Sequence, residues 1–279
     1  MRIRPMVPRD VLAGMRLTAL VGWNQLEDDW HLFLDANPAG CFVAEAGGEV
    51  IGTVASIRYE DVVSWIGMVI VDPAHRRRGG GTGLMGAVMA ALSDCETIML
   101  DATPVGQGVY ESLGFEPEYG LRRMVVENLR RVEPGAAAVQ PVSGGLPPAA
   151  LELDTDAFGA DRGVVLRSLL RRAPALAWTG VEQGTRALCL GRPGARFWQV
   201  GPVVARDEES AKAVCSAALS SLQGGAVVMD VPAAQGRFLE WLTGLGFSEQ
   251  RPFTRMRRGP CVHPGRPEMQ FAVTGPEFG

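Results

Sequence analysis

Residues 65–92 read, in order, as an apolar run of β type, a basic glycine-rich turn and an apolar helical run. The turn is Val71-Asp72-Pro73-Ala74-His75-Arg76-Arg77-Arg78-Gly79-Gly80-Gly81-Thr82-Gly83. A strand that feeds such a turn into a helix commits this part of the chain to an α/β unit and builds a cradle for phosphate. Glycine lets backbone N–H groups approach an anion closely, and the helix N-terminus adds partial positive charge. Three consecutive arginines supply fixed charge suited to a pyrophosphate. A Walker A loop needs Lys-Ser or Lys-Thr behind its second glycine, and none follows here. A dinucleotide fingerprint needs G-x-G-x-x-G and an acidic residue about 20 positions on, and position 84 is Leu84.

The spacing that remains is Arg76-x-x-Gly79-x-Gly81 behind Val71-x-Pro73. It resembles motif A of the GNAT superfamily of N-acetyltransferases, in which the loop holds the pyrophosphate of acetyl-CoA. Downstream, the stretch from Leu100-Asp101-Ala102-Thr103-Pro104 ends in Tyr110-Glu111-Ser112-Leu113-Gly114-Phe115. It resembles motif B of the same superfamily, whose tyrosine lies beside the cofactor sulfur. The resemblance implies acetyl-CoA as acyl donor. It places the pyrophosphate on Arg76, Arg77, Arg78, Gly79, Gly80, Gly81 and Thr82, and the pantetheine arm and thioester carbonyl on Met68, Val69 and Val71. Tyr110 becomes the acid that protonates the departing thiolate. The chemistry is sound, since a phenol of pKa about 10 is neutral at pH 7 and a thiol titrates at about 8.5. The base stays open among acids near the expected acceptor groove. Glu60 and Asp61 sit at a strand turn, and Asp28 and Asp29 follow Trp23-Asn24, a segment that borders the acceptor site in this fold. Trp23, Asn24, Asp28, Glu60 and Asp61 are therefore the acceptor-site candidates.

The rest of the chain sets bounds. Its 279 residues suit one large or two ordinary domains, and 47% hydrophobic content supplies a packed core. A net charge of −4 argues against nucleic acid as the main partner, so the arginines at 76–78 stand out against an acidic background. Five cysteines without a C-x-x-C pair imply reduced thiols in a cytoplasmic protein. Histidines at 31, 75 and 263 lack metal-ligand spacing, so no metal is expected. No signal peptide or membrane-length apolar run is evident.

Periodicity predicts strands over residues 3–7, 41–45, 50–59, 65–71, 97–100 and 121–127, and helices over 10–21, 23–34, 84–92 and 108–113. This order matches the GNAT fold, a mixed α/β sheet splayed open at its centre. Composition shifts between residues 130 and 148, which carry several prolines and glycines and three consecutive alanines, and a boundary belongs near 133–138. The expected division is 1–133, a catalytic domain that binds acetyl-CoA, and 134–279, a degenerate copy that is structural or shapes the substrate site. Leu113-Gly114-Phe115 recurs as Leu245-Gly246-Phe247 and Arg123-Met124 as Arg255-Met256, both at an offset of 132. Leu100-Asp101 is echoed by Met229-Asp230, and Ile3-Arg4-Pro5-Met6 by Val139-Gln140-Pro141-Val142. At the 132 offset Arg76 falls on Glu208, Gly79 on Ala211, Gly81 on Ala213 and Tyr110 on Leu242, so the copy lacks both cradle and acid. With Asp156-Ala157-Phe158-Gly159-Ala160-Asp161-Arg162 and Thr254-Arg255-Met256, the whole chain resembles a bacterial subfamily that joins a GNAT domain to a degenerate GNAT-like one. Asp161 and Arg162 read as a helix N-terminal acid and a structural ion pair.

The reading is an N-acetyltransferase acting on a small amine by direct transfer in a ternary complex, as a monomer or homodimer, without a membrane or nucleic-acid partner. Acids near the cleft point to a cationic amine. Two alternatives stay open: acetylation of a protein N-terminus or lysine, and a non-catalytic acyl-CoA sensor with no need of Tyr110.

Overall fold

The computed structural model describes residues 1–60, 62–133, 135, 137–180, 185–262 and 264–279. In the first half, β1 (Arg2–Pro5), α1 (Val11–Leu20) and α2 (Glu27–Ala36) precede three antiparallel strands, β2 (Phe42–Ala46), β3 (Glu49–Tyr59) and β4 (Val63–Val71). Then come α3 (Gly80–Ala91), β5 (Thr97–Ala102), α4 (Pro104–Ser112) and β6 (Glu116–Val126). The second half repeats the order: β7 (Val139–Pro141), α5 (Pro148–Phe158), α6 (Gly163–Arg172), β8 (Trp178–Gly180), β9 (Ala187–Arg192), β10 (Trp198–Ala205), α7 (Glu208–Ser220), β11 (Val227–Pro232), α8 (Gly236–Gly244) and β12 (Ser248–Arg258). A short β13 (Gln270–Ala272) has no counterpart among the described residues of the first half. None of the described helices is long and apolar enough to cross a membrane.

The repeated tripeptides terminate helices. Gly114 and Gly246 take φ of +83° and +96° at the ends of α4 and α8. The following Phe115 and Phe247 N–H groups donate back to the carbonyls of Tyr110 and Leu242. Only glycine adopts this left-handed geometry cheaply, so both copies keep it.

Strand order is β1-β2-β3-β4-β5-β12-β6-β11-β10-β9-β8-β7, one sheet through both halves. The last strand of each half has crossed over. β12 lies against β5 of the first half, β6 against β11 of the second, and β6 and β12 pair antiparallel between them. The two separate sheets read from the repeat are thus joined.

The repeated Arg-Met dipeptides make the exchange specific. Successive strand residues face opposite sides of a sheet. Met124 on β6 enters the core of the second half beside Val214 and Met229, and Met256 on β12 enters that of the first beside Leu84 and Val88. On the other face Arg123 grips Asp230 of β11 through two bonds of 2.8 Å. Arg255 grips Asp101 of β5 through two of 2.9 Å. Burial works against both guanidinium charges, but the paired carboxylates outweigh it and hold each arginine above its ordinary range.

A third core, on the face opposite α3 and α7, joins the halves directly: Trp30 and Phe33 of α2 share it with Leu166 and Leu169 of α6 and Leu188 of β9. Asp29, fully buried at the first turn of α2, accepts from Arg172 at 2.7 Å and Arg192 at 2.8 Å. Arg162 grips Asp154 at 2.8 and 2.9 Å, and Asp161 accepts from the N–H of Gly163 at the start of α6, as read from the sequence. All five cysteines are free, four of them buried.

The segment predicted as a helix over 23–34 divides at residue 27. Glu27-Asp28-Asp29 supplies the acids that favour a helix N-terminus. Trp23 and Asn24 precede it outside the helix, and Asn24 is spent elsewhere. Its side chain accepts from the N–H groups of Arg196 and Phe197 and donates to the carbonyl of Phe197, pinning the second half.

Removing one partner of a crossed pair strands a buried charge, which costs about 3–5 kcal/mol. Asp230→Ala should lower unfolding free energy by that amount in urea titrations, and Arg123→Met combined with Asp230→Leu should recover more than half of it. A loss under about 1 kcal/mol in the single variant would show that the pair does not hold the exchange.

Candidate active site

β4 and β5 pair in parallel only over Val63–Trp65 and Thr97–Met99, then diverge. The reason lies in β4. Thr53 pairs with Ile70 and Ala55 with Gly67, so Met68 and Val69 oppose the single residue Val54. This is a β-bulge, which kinks a strand and frees backbone from the ladder. Met68 takes φ +55°, and its carbonyl accepts the Thr53 hydroxyl at 2.8 Å. The divergence opens a cleft holding about 580 Å³ of empty space, part of it open to solvent. Its walls are the bulge (Ile66, Gly67, Met68, Val69), the end of β5 with Thr103 and Tyr110, and, from further off in sequence, Trp23, Gln25, Arg123, Arg251, Phe253, Pro276 and Glu277.

Tyr110 stands on α4, which Thr103 caps by accepting from the Gly106 N–H. Its ring packs edge-on against Phe115 with centroids 6.1 Å apart. Burial pushes its phenol up to about 12.

Beyond the bulge β4 runs into the arginine turn. Asp72 braces it, accepting from the Ala74 N–H at 2.9 Å and from Arg16 at 3.3 Å, which hold its carboxyl below the usual range. Arg76 donates to the Val71 carbonyl at 3.2 Å, and Val71 itself lies between cleft and turn. Arg77 takes φ +60°, and Gly79 caps α3 at φ +80°. The first bond closing onto the cap is Gly83 N–H to Gly79 carbonyl, so the N–H groups of Gly80, Gly81 and Thr82 have no partner within the helix. Arg76, Arg77 and Arg78 are exposed, with no carboxylate paired to any of them among the described residues. Free N–H groups, a helix N-terminus and unpaired arginines together fit a pyrophosphate.

The acceptor-site candidates fare differently. Trp23 lines the cleft. Asn24 does not, being committed to the second half. Asp28 is exposed on α2 and pairs loosely with Arg172 at 3.4 Å. Glu60, at φ +56°, lies exposed on the β3–β4 turn, away from the cleft. Asp61 lies outside the described residues. Asp28 and Glu60 therefore do not line the cleft, because α2 and that turn carry them to solvent, and Asp29 is spent on Arg172 and Arg192. Arg123, Arg251, Gln25 and Glu277 escaped sequence reasoning. The one available signal was Arg123 and its repeat.

Arg251 reaches the cleft through a second bulge. Glu249 pairs with Met124 and Arg251 with Arg123, so Gln250 is the extra residue and Arg251 joins Arg123 on the cleft face. Both guanidinium groups lie 5.0 Å from the centre of the Phe253 ring. Burial and the neighbouring Arg123 push the Arg251 guanidinium below its ordinary range.

Among its described residues the second half keeps neither the long turn nor the open strand divergence of the first. β10 reaches α7 through Arg206 and Asp207 alone, whereas β4 reaches α3 through the eight residues 72–79. Asp207, not Ala211, stands where Gly79 does, and it caps α7 by accepting from Ser210 N–H. The 132 offset read from the sequence is thus four too large at this point: the cradle has been deleted rather than substituted. β10 and β11 also diverge after two pairs, but β13 fills the gap, pairing with β10 while Val273 bridges Asp230. Residues 273–279 continue into the first half. β10 also has a bulge, between Val200 and Val203; a side chain at Gly201 in it would clash with the Val273 carbonyl, and one at Gly67 would meet the Glu277 carbonyl at 2.8 Å, so one segment packs over the bulges of β10 and β4. Trp65 donates to the Pro276 carbonyl at 3.0 Å and Tyr59 to that of Phe278 at 2.7 Å, and Arg192 pairs with Glu277.

Comparison with known proteins accords with this geometry. Residues 15–115 match the model of the acetyltransferase (GNAT) family, and residues 150–272 that of an acetyltransferase (GNAT) domain. A holothin acyltransferase from Pseudoalteromonas is 22% identical over 241 residues, 85% of this chain and 81% of that protein. The crystal structure of a candidate acetyltransferase from Pyrococcus horikoshii superposes with a TM-score of 0.84 at 25% identity, over 100% of this chain and 95% of its own. A tandem GNAT protein from the clavulanic acid pathway shares the fold at TM-score 0.60 and 15% identity, covering 93% of this chain and 99% of its own. The chain belongs to the GNAT acyltransferase superfamily and carries two of its domains in tandem.

Proposed function

We propose that the chain moves an acetyl group from acetyl-CoA to the amine of a small molecule by direct attack within a ternary complex. The observation that carries this reading is the succession of three features: the bulge at Met68 and Val69 and Tyr110 line one cleft, and β4 runs on from that bulge into the unpaired arginine turn. Acetyl-CoA supplies the activated thioester. Arg76, Arg77, Arg78 and the N–H groups of residues 79–82 would take its pyrophosphate. The backbone freed at Met68 and Val69 would hold the pantetheine arm and donate to the thioester carbonyl as negative charge develops there. Tyr110, kept neutral by burial, would donate its proton toward the departing sulfur. The acyltransferase relative supports transfer of an acyl group. The size of the cleft supports a small acceptor.

Arg76→Glu should weaken acetyl-CoA binding in calorimetry by about 10- to 100-fold, with the melting temperature unchanged because the side chain is exposed. Undiminished binding would remove the cradle. Tyr110→Phe should lower kcat about 100-fold with little change in acetyl-CoA affinity. With its phenol near 12, wild-type kcat should show no loss near pH 10, where an ordinary tyrosine ionises. An unaltered rate in the variant would end the acid role.

A further inference from the structure

Four charged side chains line the cleft: Asp101, Arg123, Arg251 and Glu277. Three have opposite partners. Asp101 is held by Arg255, Arg123 by Asp230 and Glu277 by Arg192. Arg251 has no ion pair or hydrogen bond among the described residues, and its Nε atom is buried without a partner. Buried polar atoms are rarely left so. The other unpaired buried polar atom of the cleft is Oε1 of Gln25, an acceptor. The cleft thus presents one uncompensated cationic fork and one uncompensated acceptor, set among Trp23, Leu100, Phe253 and Pro276. Arg251 is held for this position by the bulge at Gln250 and by its stack on Phe253. The corresponding bulge in β6, at Glu118, aims Tyr119 instead, and that hydroxyl is used in accepting from Arg255.

Resting on the transferase reading above, we propose that the acceptor is an amine bearing a carboxylate, such as an amino acid or short peptide-like acid, and that Arg251 grips that carboxylate. A guanidinium matches a carboxylate through two parallel bonds, and Gln25 suits an N–H of the same molecule. A polycationic amine would instead bring further positive charge beside Arg251 and Arg123. The direction read from the acids of the sequence is therefore reversed: Asp28 and Glu60 lie outside the cleft, and Asp29 is already paired. Arg251 selects the acceptor from a strand that the second half lends to the first.

Amino acids and their carboxamides form matched probes, since the amide keeps the amine and loses the carboxylate. Thiol release from acetyl-CoA should favour the acid of each pair by at least 10-fold in kcat/KM. Arg251→Gln should lower kcat/KM for acids about 10- to 100-fold, leaving the amides and the KM for acetyl-CoA unchanged. Arg251→Lys should restore part of the preference. Equal turnover of acids and amides by the wild type, or an intact preference in Arg251→Gln, would overturn the proposal. So would a raised KM for acetyl-CoA with acid preference intact, which would assign Arg251 to the donor. Failure of every amine to release thiol would sink the transferase reading instead. Calorimetry with an N-acetylated amino acid and its amide still decides the role of Arg251 in that case: acid-selective binding lost in Arg251→Gln supports it, and binding blind to the carboxylate refutes it.

Discussion

The two crossed ion pairs, Arg123 with Asp230 and Arg255 with Asp101, are the constraint on which the molecule turns. Each arginine leaves its own half on an exchanged strand and finds its carboxylate in the other. Because both pairs are buried and bidentate, a strand returned to its own half or slipped in register would strand charges in the core. The adjacent methionines add the apolar counterpart on the opposite face. Two copies of one fold are thereby joined into a single sheet.

This joining divides labour between copies. The second half has lost the phosphate turn and filled its own divergent strands with β13. What it contributes instead is architecture for its neighbour: Arg251 and Phe253 on β12, and Pro276 and Glu277 on the segment that crosses from one bulge to the other. The ionic chain from Arg172 through Asp29 and Arg192 to Glu277 ties that segment to α2, α6 and β9. A domain that lacks the phosphate turn and fills its own strand gap can therefore still shape the cleft of its neighbour.

How much the sequence revealed follows from how far apart the interacting residues lie. The arginine turn, the strand before it and the Tyr110 helix are contiguous, and their spacing carries their geometry; the structure sets Met68, Val69 and Tyr110 on one cleft with the turn beyond. The Leu-Gly-Phe and Arg-Met repeats were visible too, but a dipeptide does not say which strand it will lie against, so the exchange stayed hidden. The acceptor wall was misread for the same reason. Asn24, Asp28 and Glu60 are near the expected groove in the chain, whereas Arg251 and Glu277 arrive from more than 130 residues beyond Tyr110. The helix predicted from Trp23 failed on a local signal that could have been used: the three acids at 27–29 mark its true start.

The most direct test is a crystal structure of the chain with CoA bound. The account predicts pyrophosphate density on the arginine turn and the start of α3, with the sulfur beside Tyr110 and β13 still in place on β10. CoA lying along β10 with β13 displaced, or a pyrophosphate at Arg206 and the start of α7, would contradict it.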